Sequence, residues 1–321
     1  MLDHFKIGHY TDSINGTGVT VILSELGAVA GCCVRGAAPA TRETDLLTDG
    51  KTVCSINAVV LSGGSAFGLE AACGVVKWLH EGGFGFNAGK HKVPIVVGAS
   101  LYDLEFNNFS YPDISAGYSA CQCAKSNNFQ VGAVGAGTGA TVSKVFGMES
   151  AIKSGLGISL FSFNGLEIAV ITAVNALGDI VKDGKIILGA KDANHQYIDC
   201  KSILSAGSIT FPTQNTTIGC VLTNAIITKE QSNILASLAH DGFALSISPS
   251  HTLFDGDCMF VVSSCKVKFE FNILTAVIPE LTARAIQSVA SIKKDVTIRA
   301  VNPMFLRMFE RAFRAKSKSK S

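Results

Sequence analysis

Seven short apolar stretches of strand character, set against four of helical character and not alternating with them, constrain this chain most. The strand-like stretches are Gly18 to Leu23, Ala28 to Val34, Ala58 to Leu61, Pro94 to Val97, Ile158 to Phe163, Ile168 to Val174 and Thr217 to Leu222. Each alternates or runs apolar over a strand's length. Apolar residues near 3.6 spacing predict helices over Ala66 to His80, Ile114 to Lys125, Lys229 to Ala244 and Ile273 to Ile292. Thr228 and Gln231 form a capping-box start for the third. Because the strands are not each followed by a helix, regular βαβ winding with an all-parallel sheet is not expected. Two layers of sheet covered by helices, within the α/β class, are.

At 321 residues with 47% apolar and 16% charged content, the chain can bury a large core and is not of disordered composition. No Pro/Ser-rich linker divides it, so residues 1–292 are expected to form a single domain. The net charge of +2 is uneven: Lys293 to Ser321 holds nine Lys/Arg and two Asp/Glu, which leaves the body acidic. This tail, residues 293–321, contains Met304-Phe-Leu-Arg-Met-Phe-Glu-Arg-Ala-Phe and then Lys-Ser repeats. It reads either as a basic amphipathic helix for a membrane or an acidic partner, or as a frayed extension. The first residues lack a secretory pattern, and no apolar run reaches the roughly 20 residues of a membrane helix, so a cytoplasmic protein is expected.

The ten cysteines include Cys32, Cys33, Cys54, Cys73, Cys220 and Cys258 within apolar runs, which predicts reduced core thiols. Neither a C-x-x-C pair nor an H-x-x-x-H pair occurs, and Cys121-x-Cys123 has no companion ligands, so no metal is expected. Gly135-Ala-Gly-Thr-Gly-Ala140 satisfies a dinucleotide fingerprint in letters, but no acidic residue follows at the required distance. It reads as a loop that admits close backbone approach. No cofactor and no nucleic-acid partner are expected.

Thr213-Gln-Asn-Thr-Thr-Ile-Gly sets polar, turn-forming residues directly before a strand. Unaided, Asn-Thr-Thr reads as an ordinary turn. A threonine at a new chain start is chemically different, because its free α-amine, with an ordinary pKa of roughly 7.7–8.0, can serve its own hydroxyl as base. Downstream, Asp255 and Asp257 flank Gly256 just before another apolar run. At that spacing they are expected to face one side and to raise one another's pKa, or else to be a solvated Asp-Gly turn.

Several motifs in one order carry a resemblance. They are Arg35-Gly-Ala-Ala-Pro-Ala-Thr-Arg-Glu-Thr-Asp45, Leu61-Ser-Gly-Gly-Ser-Ala-Phe-Gly-Leu69, Gly135 to Ala140, Ala173-Val-Asn-Ala-Leu-Gly-Asp179, Asn215-Thr-Thr-Ile-Gly219, Ala239-His-Asp-Gly242 and Phe254-Asp-Gly-Asp257. Over about residues 5–292 the chain resembles the self-processing peptidases that include the aminopeptidase DmpA, the β-peptidyl aminopeptidases and the nylon-oligomer hydrolases. The resemblance implies an α-β-β-α sandwich of the N-terminal-nucleophile type. It implies autocatalytic cleavage into a large chain, 1–215, and a small chain with its core at 216–292, assembled as homo-oligomers, often tetramers, and acting on a peptide or small amide substrate.

Residue by residue, the resemblance makes Thr216 the nucleophile and Asn215 the residue on the departing side of the cut. It makes Asn175 an oxyanion donor, a role worth about 10²–10³ in rate in other enzymes. Tyr102 and Lys144 resemble a tyrosine and a lysine near the same site, and Asp255 and Asp257 an aspartate pair that orients the nucleophile and its amine. Threonine with Asp-x-Asp resembles the nylon-oligomer branch, where the aminopeptidase branch has serine with Ser-x-Glu. Cys220, Cys258 and the tail depart from the family pattern. An acyl transferase related to ornithine acetyltransferase, or an uncut scaffold with a recruiting tail, are the alternative expectations.

Overall fold

A computed structural model describes residues 2–207 and 214–291; the basic tail and Thr213 fall outside them. Eight strands carry the fold: β1 (Lys6–Asp12), β2 (Thr17–Val34), β3 (Ser55–Ser62), β4 (Val96–Ser100), β5 (Leu156–Phe163), β6 (Leu166–Asn175), β7 (Thr216–Ala225) and β8 (Cys258–Val267). The main helices are α1 (Ala71–Glu81), α2 (Ile114–Gln122), α3 (Lys229–Ser246) and α4 (Phe271–Ser288). Hydrogen bonding runs β5-β6-β7-β8-β2-β3-β4, with β1 beside β2. The pairs β7–β8 and β3–β4 are parallel, each joined through a helix, and the rest of this path is antiparallel.

The expected strands over Gly18 to Leu23 and Ala28 to Val34 are one long strand, broken in register between Leu23 and Ala28. The first half of β2 lies between β1 and β3, and the second half pairs with β8. A break of this kind bends a strand, and here it lets one continuous sheet fold into two layers.

Alternation along the strands accounts for the layers. Between them lie Ile22, Val59, Leu61 and Ala99 from one half, with Ile171, Ile218, Leu222 and Phe260 from the other. The opposite faces of the first half, Val19, Val21, Ala58 and Val60, pack on α1 and α2. Those of the second half, Val170, Val221, Met259 and Val261, pack on α3 and α4. The order helix, sheet, sheet, helix is therefore observed as expected. Strand β7 is buried along its whole length, so its sequence runs apolar without clean alternation.

The capping box forms as expected: the Thr228 hydroxyl accepts from Gln231 N, and Thr228 N donates to the Gln231 side chain. Gly242 lets α3 close on α4, because a Cβ there would stand 2.5 Å from the Pro279 carbonyl oxygen. The expected helix from Ala66 begins as a 3-10 turn, Ser65–Glu70, before α1. Gly135–Gly137 is also a 3-10 turn, followed by the two-residue strand Thr141–Val142 and not by the helix a dinucleotide site requires. All ten cysteines are unpaired thiols. Cys220 and Cys258 are buried, but Cys54 and Cys73 are exposed: an apolar neighbourhood in sequence did not make them core residues.

Candidate active site

The ends of β6 and β7 meet at the bond between Asn215 and Thr216. Asn175, last in β6, is the antiparallel partner of Thr216, first in β7. Asn215 is held against the segment before β8: its N–H donates to Phe254 O at 2.9 Å, and its carbonyl oxygen accepts from Gly256 N at 3.0 Å. The Thr216 hydroxyl donates to that same Asn215 carbonyl. One carbonyl thus has a hydroxyl against it from the following residue and a backbone donor on its oxygen. Thr216 is 4% exposed, so this contact is shielded from bulk water.

Arg35 N and Gly36 N donate to Asp257 O at 3.0 and 3.2 Å, and Ala38 N donates to Asp255 O at 3.0 Å. The segment 255–257 is therefore clamped between the start of β7 and the loop after β2. Only glycine fits at Gly36, since a Cβ would meet Asp257 N at 2.1 Å. This accounts for part of the Arg35 to Asp45 motif as a backbone clamp.

Asn175 is buried and its amide is fully oriented. Its Oδ1 accepts from Lys144 Nζ at 2.8 Å and Thr141 N at 3.0 Å, and its Nδ2 donates to the Tyr102 carbonyl at 2.8 Å. The second Nδ2 proton remains for another acceptor, as an oxyanion donor needs. Tyr102 reaches Asn175 through its backbone; its hydroxyl donates to Glu105 at 3.1 Å.

Lys144 is 1% exposed and also donates to the Asn175 backbone carbonyl at 3.1 Å. Burial pulls its pKa down from 10.5 to about 7, opposed by the negative charges of Asp255, Asp103 and Glu105. Asp255 moves the other way: burial, then the neighbouring Asp257, hold its carboxyl above the usual aspartate range.

The two aspartates take different partners. Asp255 Oδ2 accepts from the Thr252 hydroxyl and from Thr252 N at 3.0 Å, and its Oδ1 lies 3.4 Å from Leu177 N. Asp257 Oδ1 accepts from Thr217 N at 2.7 Å, and its Oδ2 faces His251 Nδ1 at 2.7 Å.

Of the expected residues, Asn215 and Thr216 meet at one carbonyl, Asn175 is the strand partner of Thr216 and accepts from Lys144, and Tyr102 joins through its carbonyl. Asp255 lies beside Asn215 in a backbone bridge, and Asp257 reaches the group through Thr217 N. Sequence reasoning missed four supports. Asp103, next to Tyr102, accepts from Gly64 N at 2.6 Å and Thr17 Oγ1 at 2.9 Å, with burial pushing it up to about 6. Lys153 Nζ ties the glycine loop by donating to Gly137 O at 2.8 Å, Ala140 O at 3.0 Å and Ser154 O at 2.8 Å. His251 and Thr252 hold the aspartates; their place directly before Phe254-Asp-Gly-Asp257 was the available signal. Among the described residues, no group of three or more His, Cys, Asp or Glu is placed to hold a metal ion.

The model of peptidase family S58 matches residues 3–308, running past Lys293, where the motif resemblance stops. An uncharacterized aminopeptidase of Mycobacterium tuberculosis is 35% identical over 320 residues, covering 92% of this chain and 90% of its own. A 6-aminohexanoate-oligomer endohydrolase of Kocuria sp. is 30% identical over 268 residues, covering 81% and 72%. Among solved structures, a Burkholderia sp. β-aminopeptidase superimposes with TM-score 0.67 at 15% identity, covering 92% of this chain and 86% of its own. The L-aminopeptidase D-Ala-esterase/amidase of Ochrobactrum anthropi, described as a variant of the Ntn-hydrolase fold, gives TM-score 0.66 at 18% identity, covering 90% and 83%.

Proposed function

The chain belongs to peptidase family S58 and is a hydrolase of amide bonds with the Ntn-hydrolase fold, and from that premise we propose that Thr216 is its nucleophile, freed by self-cleavage of the Asn215–Thr216 bond. The observation that carries this reading is the Asn215 carbonyl, contacted by the Thr216 hydroxyl and hydrogen-bonded to Gly256 N at 3.0 Å.

In self-cleavage, Thr216 Oγ bonds to the Asn215 carbonyl carbon and the charge passes to the carbonyl oxygen, where the Gly256 N–H stabilises it. The C–N bond breaks, the amine takes the proton that the Thr216 hydroxyl gives up, and Asn215 is left as an ester on Thr216. Water hydrolyses that ester, giving a large chain that ends at Asn215 and a small chain that begins at Thr216, with its core at 216–292. Residues 1–292 then act as one hydrolase domain in two pieces.

In substrate hydrolysis, the new α-amine takes the hydroxyl proton as Oγ attacks a substrate amide. The second N–H of Asn175 Nδ2 meets the oxyanion, with Lys144 and the Tyr102 carbonyl holding that amide in place. The departing amine takes the proton, and water clears the acyl ester. Asp255 and Asp257 fix the chain start, Asp257 by accepting from Thr217 N.

The substrate is a peptide or another linear amide. Asp-x-Asp with a threonine nucleophile favours the branch that holds the 6-aminohexanoate-oligomer hydrolases. Acyl transfer to ornithine and an inactive scaffold are not favoured, because the matched family and relatives are amide hydrolases. A homo-oligomer of processed heterodimers, and membrane or partner contact through the tail, complete the proposal. Among the described residues, no helix is long and apolar enough to cross a membrane. Replacing Thr216 by alanine tests the reading: both self-cleavage and hydrolysis should vanish, and a variant that still cuts itself would refute it.

A further inference from the structure

His251 and Asp257 stand six residues apart on one loop and meet at 2.7 Å, Nδ1 to Oδ2. The ring has little freedom. It stacks on Phe243 with centroids 5.4 Å apart and planes at 23°, and presents an edge to His240 at 4.9 Å. Both neighbours come from α3, where His240 Nε2 is itself fixed against the Cys33 carbonyl at 2.9 Å. The His251 backbone has φ of +53°, in the left-handed region that disfavours residues other than glycine. A strained residue, wedged between two rings, therefore holds one oxygen of Asp257. The other oxygen accepts from Thr217 N at 2.7 Å.

Thr217 follows the proposed nucleophile directly. A carboxylate only accepts, so with Asp257 ionised the ring donates from Nδ1, and the two bonds fix both carboxylate oxygens at once. Nested inside, Thr252 holds Asp255 in the same way. The loop from His251 to Asp257 thus orients its carboxylates by its own side chains.

We propose that His251 is a positioning residue of the reaction: through Asp257 it fixes the Thr217 N–H, and with it the place of the Thr216 hydroxyl and amine. The proposal rests on Thr216 being the nucleophile. His251 does not touch substrate. Its contribution belongs to the aim of Thr216 and so to turnover, with substrate affinity left alone.

Two substitutions separate this role from mere packing. In His251→Asn the side-chain amide N–H takes the place of Nδ1–H, but the stack on Phe243 is lost. In His251→Leu apolar packing is kept and the donor is lost. Self-cleavage is followed by intact mass on freshly made chain, and kcat and KM are measured on alanine p-nitroanilide. Loss of a hydrogen bond to a buried charged group predicts about a 10- to 100-fold fall in self-cleavage rate and kcat for His251→Leu, with KM unchanged. His251→Asn should recover most of that loss. A leucine variant as fast as or faster than the asparagine variant, or a loss seen in KM alone, overturns the proposal. Continued self-cleavage of Thr216→Ala would instead refute the nucleophile, so the two failures are distinguishable.

Discussion

Replacing Lys144 by methionine should alter how stability depends on pH in a calculable way. Lys144 is fully buried, and its pKa falls from 10.5 to about 7 on folding. Between those values the unfolded chain binds a proton that the folded chain does not, so stability rises with pH across that window. Integrated from pH 7 to pH 9, this one group contributes a gain of about 2 kcal/mol. Methionine keeps most of the length of the side chain and removes the titration. Both proteins should carry Thr216→Ala, so that an uncut chain is compared with an uncut chain. Urea unfolding at pH 7 and pH 9 should show the chain that retains Lys144 gaining about 2 kcal/mol more than the Lys144→Met variant. Equal gains would mean that Lys144 keeps its ordinary pKa on folding, and the account of a desolvated lysine beside Asn175 would be wrong.

Asn175→Ala should lower kcat by about 10²–10³, the range for loss of one oxyanion donor, measured on a peptide or aminoacyl amide. Self-cleavage should be affected less, because the Asn215 carbonyl has Gly256 N as its donor. Asp255 has the opposite linkage to Lys144. Its folded pKa lies above its unfolded value of 3.8, so the folded chain holds the extra proton and stability falls as pH rises from 3.8 through the folded value. In unfolding measurements on the Thr216→Ala chain, Asp255→Asn should remove that fall.

The elements were legible where one face is buried and the period is clean. Val19, Val21, Ala58 and Val60 alternate with Ile22, Val59 and Leu61, and the strands they predict are present. The bend in β2 was not legible: Ser24 to Gly27 interrupts the apolar run, and the chain reads as two strands because register belongs to the partners and not to the strand. Helix starts were legible wherever a side chain does the capping, as at Thr228.

At the site, residues acting through side chains, such as Asn175 and Asp257, have a sequence signature. Tyr102 holds Asn175 with its carbonyl and Gly256 meets Asn215 with its N–H. Every residue has a carbonyl and all but proline an N–H, so no letter announces them. The burial of Lys144 and the inward seat of half-buried Lys153 were equally invisible, because the acceptors that satisfy them lie on other segments or are backbone carbonyls.

The most direct test of the central claim is the intact mass of the purified protein under denaturing conditions, taken alongside its amidase activity. Active protein should give two species, one ending at Asn215 and one beginning at Thr216. Active protein made of one uncut chain, or cut at another bond, would contradict the assignment of Thr216 as the nucleophile.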